Sequence, residues 1–139
     1  MMADMLLVFE INGCRLALDA SRVAAIAQLP AQSPAPLLPP YVAGLCNLRG
    51  SVVPVVDITA LWGIPHTGTY RCILLLHHLG GEVALLVDGV IATESGAAAT
   101  AAAGGGEGFG RYVAALLPDK TEVLAVEKLL DAVFQQAEV

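Results

Sequence analysis

The fifteen residues from Gly44 to Ile58, Gly-Leu-Cys-Asn-Leu-Arg-Gly-Ser-Val-Val-Pro-Val-Val-Asp-Ile, constrain the fold more than any other part of the chain. Two apolar runs flank Arg49-Gly50, a pairing that fits a tight turn between strands. Pro54 has no amide hydrogen, so its strand must lie at a sheet edge or interrupt its pairing there. Asp57 can cap a short helix, Ile58 to Trp62, which Gly63 ends and Pro65 keeps from resuming. Arg49 is the only Lys or Arg between Arg22 and Arg71. One permanent charge therefore sits at the tip of an apolar hairpin. Its planar fork of five donors stays protonated and binds carboxylates or carbonyls directionally.

Similar turn chemistry recurs along the chain. Asn12-Gly13 separates Met5–Ile11 from Cys14–Leu18, and both turn positions tolerate positive φ, so this is a hairpin. Asp19 and Ser21 can cap a turn of helix before Val23–Ile26, a run that suits helix or strand equally. Pro30 to Pro40 is an extended connection. Tyr70–His77 and Glu82–Val87 form a second hairpin across Gly80-Gly81, and Val90–Thr93 adds a strand. Residues 95–110 are nearly all Ala, Gly, Ser and Thr and read as a flexible loop. Arg111–Leu117 and Glu122–Val126 make a third hairpin. Leu129, Leu130, Val133 and Phe134 then share one face of a closing helix. Many short strands at regular spacing mean a mostly β barrel or sandwich with short helices.

The composition sets limits on function. The 139 residues fit a single domain able to bury a core without disulfides. A hydrophobic fraction of 56%, with only 14% charged and 5% aromatic, builds that core from Val, Leu, Ile and Ala. A net charge of −6 argues against nucleic-acid binding, which needs clustered Lys and Arg. So few charges on so apolar a chain suggest a surface made for a partner. Cys14, Cys46 and Cys72 have no metal-ligand spacing and read as reduced thiols of a cytoplasmic protein. The apolar run Met5–Phe9 is too short for a signal peptide. The uncharged stretch Val23–Leu48 holds five prolines, so it cannot span a membrane as a helix.

Convergent reactive groups are missing. Strand alternation sends His77 and His78 to opposite faces, which disfavours a shared metal and suggests a solvated turn. His66 lies in a loop with no nearby acid. Gly104–Gly108 lacks the Lys and Ser/Thr of a phosphate loop, and no serine has a nucleophile-elbow context. No enzyme activity, cofactor or metal is expected. This emptiness points to an adaptor.

The order of hairpin, Asn47-Leu48-Arg49-Gly50 turn, Pro54-x-x-Asp57, helix, hairpin and Val87-Asp88-Gly89-Val90 resembles the CheW family of bacterial chemotaxis coupling proteins. The resemblance runs from about Leu6 to Leu130. It implies one CheW-like domain, 1–139, of two intertwined β-barrel-like (SH3-like) subdomains of about five strands each, closed by a C-terminal helix. It also implies a monomeric, non-catalytic scaffold coupling the cytoplasmic tip of methyl-accepting chemoreceptors to the regulatory domain of a CheA-type histidine kinase. In such a family Gly44, Arg49 and Gly50 lie at or near the receptor-facing groove. Val23, Val87 and Val90 match positions tied to binding of kinase or receptor. Core packing remains the alternative for the valines, and an internal brace the alternative for Arg49. The chain departs from the family at Ala25, where relatives often carry glutamate, and at Ala115 and Ala125, where glycine and aspartate are common. Other readings are a small-molecule-binding β-barrel module, a hydrolase with dispersed residues, or a spacer that binds the kinase alone.

Overall fold

A computed structural model describes residues 4–34, 37–78, 81–101 and 112–137. Its strands are β1 (Met5–Ile11), β2 (Cys14–Asp19), β3 (Val23–Gln28), β4 (Val42–Leu48), β5 (Ser51–Val56), β6 (Cys72–His78), β7 (Gly81–Val87), β8 (Gly89–Ser95), β9 (Thr100–Ala101), β10 (Val113–Leu116) and β11 (Glu122–Leu124). Helix α1 (Ile58–Trp62) follows β5, α2 (Val126–Ala137) follows β11, and a 3-10 turn, Ala20–Arg22, links β2 to β3. Val23–Ile26, ambiguous in sequence, is therefore strand. Of residues 95–110, Thr100 and Ala101 pair with β10. Residues 102–110, including Gly104–Gly108, lie outside the described residues, as do Gly80 and Arg111.

The strands form two open sheets. One has the order β8-β1-β2-β11-β10-β9 and the other β3-β6-β7-β5-β4. The five-stranded sheet matches the expected subdomain, and the other gains a sixth strand through the two-residue β9. Neither order closes on itself. The hairpins pair locally, whereas β11 joins β2 and β5 joins β7 in parallel, between residues far apart in the chain.

Several strands are apolar in both phases of their alternation, so each face needs its own cover. Leu74 and Leu76 of β6, with Val83, Leu85 and Val87 of β7, enter a central core that also takes Leu7 and Phe9 of β1 and Leu129 and Leu130 of α2. The opposite face of the five-stranded sheet carries Ile73, Leu75, Ala84 and Leu86, which meet Val53 and Val55 in a second core. On the six-stranded sheet, Leu6 and Val8 join Ala17, Ala115 and Val123 in a third. Each sheet thus curls over a small core of its own and shares the central one. This satisfies the barrel-like expectation without closed barrels.

Pro54 is not on an edge strand, because β5 lies between β4 and β7. It pairs opposite Leu45, while pairing with β7 begins only at Val55. The proline thus marks a break in pairing, the second of the two arrangements it permits. The outer side of β4 takes a short bridge from the proline-rich connection. Ser33 N–H donates to the Leu45 carbonyl at 2.8 Å, and Leu45 N–H returns the bond to Ser33 at 2.8 Å. Gly44 makes this approach possible, since a Cβ there would stand 2.7 Å from the Ser33 carbonyl oxygen.

Helix α2 buries Leu129, Leu130 and Val133. The Tyr41 hydroxyl anchors it by donating to the Val133 carbonyl at 2.7 Å. Among the described residues no helix is long and apolar enough to cross a membrane. Gly44→Ala should force Ser33 off β4 and lower unfolding free energy by about 1–3 kcal/mol, read from urea denaturation. Gly89→Ala, whose Cβ would meet nothing within 4 Å, should cost less in the same assay.

Candidate functional site

The β4–β5 hairpin turns through two residues, Arg49 at φ 53° and Gly50 at φ 85°. Both angles are positive, as a type I′ turn requires. Asn47 stabilises the turn, its Oδ1 accepting from the Gly50 N–H at 3.0 Å. Left-handed backbone costs a non-glycine residue about 1 kcal/mol, so Arg49 holds this place at some expense to the fold. Its side chain is exposed and makes no hydrogen bond or ion pair among the described residues. Among the described residues Arg49 braces nothing.

The guanidinium borders a groove of about 360 Å³ that runs from β3 across β6 to the hairpin tip. Ala25 and Ala27 on β3, Leu48 on β4, and Ile73 and Leu75 on β6 line it. The small alanines keep this side of the second core open. His77 and Glu82 lie at the groove as well and pair with each other at 3.7 Å. A second hollow of about 290 Å³, lined by Leu7, Ala20, Val23, Ala25, Ile26 and Thr93, lies between the two sheets. Ala25 and Ile26 border both, so β3 is the ridge between them. Ile26 on that ridge is 50% exposed. As an edge strand, β3 also has backbone groups without a ladder partner on its outer side.

The structure brings only some of the expected site residues together. Arg49 stands at the groove's rim with Gly50 beside it in the turn, and Val23 lines the neighbouring hollow. Gly44 is buried, and the backbone that approaches it is the chain's own Ser33. Val87 is 0% exposed in the central core and offers no side-chain surface to a partner. Val90 is 36% exposed on β8, an edge of the other sheet, and borders neither hollow.

The brace between the sheets lies elsewhere. The loop after α1 brings His66 to Asp88, Nε2 to Oδ1 at 2.6 Å, so the expectation of no nearby acid is overturned. The other Asp88 oxygen accepts from the Asn12 N–H at 2.9 Å. The Asn12 side chain in turn donates to the Pro65 carbonyl and accepts from the Thr67 N–H. These bonds tie the β1–β2 turn of one sheet to a loop of the other. The His66 ring stacks on Tyr70, centroids 3.6 Å apart, and the Tyr70 hydroxyl donates to Asp57, the cap of α1. Burial, reinforced by that carboxylate, pushes the Tyr70 phenol well above its ordinary range. Asn12 and Asp88 were visible in sequence as a turn residue and as part of Val-Asp-Gly-Val. Nothing in their spacing showed that they meet.

His78 is not solvated, as a turn residue would be; its side chain is 4% exposed. Its ring nitrogens face Asp131 at 3.0 Å and Glu127 at 3.6 Å, and Arg22 pairs with Glu127. Ligand atoms of His78, Glu127 and Asp131 lie within 4.8 Å of one another, the one set among the described residues that could hold a metal ion. Since Arg22 already engages Glu127, the cluster is accounted for as an electrostatic clamp of α2 on β6. Burial raises the pKa of the Cys46 and Cys72 thiols, which disfavours the reactive thiolate.

The CheW-like domain family matches residues 5–133 of the chain. The chemotaxis protein CheW of Bacillus subtilis (strain 168) is 31% identical over 88 residues, which are 61% of this chain and 56% of that protein. The chain thus spans little more than half the length of this curated relative. Among solved structures, the scaffolding protein TtCheW from Thermoanaerobacter tengcongensis matches with a TM-score of 0.76 at 22% identity. That match covers 89% of this chain and 84% of the other, and it shows a shared fold.

With no bond to lose, Arg49→Ala should change unfolding free energy by no more than about 0.5 kcal/mol. Asp88→Ala strips partners from His66 and Asn12 and should cost about 1–3 kcal/mol in the same denaturation assay. Deprotonation of Tyr70 favours the unfolded chain, so stability present below pH about 10, the ordinary tyrosine range, should fall as pH rises beyond it. Tyr70→Phe should flatten that alkaline decline.

Proposed function

The chain belongs to the CheW-like domain family, and from that premise we propose that it is a non-catalytic scaffold of chemotaxis signalling, coupling chemoreceptors to a CheA-type histidine kinase. In this reading it works as a monomeric unit in the cytoplasm. A receptor's cytoplasmic tip docks at the groove beside β3, and the kinase's regulatory domain docks on another edge of the molecule.

The observation that carries the reading is the state of Arg49. Among the described residues a permanent cation stands unpaired on a tight turn, beside a groove lined mostly by apolar residues and away from the network that braces the two sheets. An arginine kept for stability would have partners, and one kept for catalysis would face reactive groups. Among the described residues Arg49 has neither, which suits recognition of another protein. Val23, Ile26 and Gly50 extend the same surface. The exposed edge strand β8, with Val90 and Ile91, is a candidate for the kinase contact.

A second reading is favoured by Ala25. The resemblance associates an acid at this position with receptor contact, and its absence suits a spacer that binds only the kinase. Separate titrations against a receptor tip and a kinase regulatory domain distinguish the two. The coupler binds both, the spacer only the kinase, and no binding to either at tens of micromolar, about −6 kcal/mol, overturns the proposal. Val90→Glu should weaken kinase binding while leaving receptor binding and the melting temperature unchanged.

A further inference from the structure

We propose that the partner segment entering the Arg49 groove carries one acidic side chain among apolar neighbours, and that its carboxylate pairs with the Arg49 guanidinium. The inference rests on the reading of the groove as a receptor-docking site and specifies the chemistry of what docks there.

Among the described residues Glu82 is the one carboxylate lining the groove; it lies 3.7 Å from His77 and makes no ion pair with Arg49. Among the described residues the guanidinium has no ion-pair partner. Its backbone is fixed by a two-residue turn that Asn47 locks, so little backbone freedom is lost when a partner arrives. The planar fork can take a carboxylate through two parallel hydrogen bonds.

Charge narrows the choice of occupant. The chain carries a net −6, so a strongly acidic partner face would be repelled over most of the surface. A single carboxylate on an otherwise apolar segment meets the one local cation without incurring that repulsion. A phosphorylated segment fits less well, because its extra charge calls for a cluster of cations and Arg49 is the only Lys or Arg lining the groove. The apolar remainder of the segment would cover Ala25, Ala27 and Leu48.

The test uses the full chain and, as probe, the recombinant cytoplasmic tip of a chemoreceptor encoded in the same genome, titrated at low and high salt. Arg49→Glu should weaken binding about tenfold or more at low salt, with no change in melting temperature. Each acidic residue of the tip is then changed in turn to lysine. One such tip should bind the wild-type chain at least about tenfold more weakly and bind Arg49→Glu better than the wild-type tip does. If the wild-type tip binds but no lysine change is rescued by Arg49→Glu, the carboxylate inference is overturned and the scaffold reading stands. If the wild-type chain binds the kinase domain but no tip, the receptor-docking reading fails first.

Discussion

Burial on both faces of the central strands is the constraint from which the rest of the structure follows. β6 and β7 alternate between two sets of apolar side chains, Leu74, Leu76, Val83 and Leu85 on one face and Ile73, Leu75, Ala84 and Leu86 on the other. β1 does the same with Leu7 and Phe9 against Leu6 and Val8. At roughly 25 cal/mol per Å² of apolar surface, leaving either face wet would forfeit much of the driving force for folding. A flat sheet covered on one side does not meet this demand. Each sheet curls over its outer face, and the inner faces pack together with α2 between them.

Curling without closing leaves seams. The two edges of the five-stranded sheet meet different fates. β4 takes the Ser33 bridge, which the missing side chain of Gly44 admits, while β3 stays bare on its outer side. Beside β3 the alanines at 25 and 27 leave the second core short of volume, and the groove bordered by Arg49 results. The groove is thus a by-product of how the second core is filled. An uncovered edge is an aggregation hazard in a soluble protein and a docking edge in a scaffold.

Rigidity is carried by residues other than Arg49. Asn12, His66 and Asp88 knit the two sheets through hydrogen bonds, those of the Asp88 carboxylate part-buried and those of the Asn12 side chain exposed. His78 and Arg22, through Glu127 and Asp131, hold the closing helix. With both tasks met elsewhere, Arg49 has no bracing partner among the described residues. The fold then tolerates its left-handed backbone at the hairpin tip.

Local chemistry was legible in the sequence. The Asn12-Gly13 and Arg49-Gly50 turns, the Asp57 cap with its Gly63 stop, the break at Pro54 and the apolar face of α2 depend on residues within a few positions of one another. Composition and motif order identified a mostly β chain and its family. What depends on distant residues meeting was decided only by the tertiary structure. That Val87 is enclosed while Val90 is not, that Gly44 receives Ser33, and that His66 finds Asp88 all follow from parallel and cross-sheet pairings between strands far apart in the chain. No local propensity encodes such pairings, because their stability comes from burying faces that do not exist until the sheets assemble. The sequence determined that one arginine would stand at the tip of an apolar hairpin, and the packing decided that no described residue would pair with it.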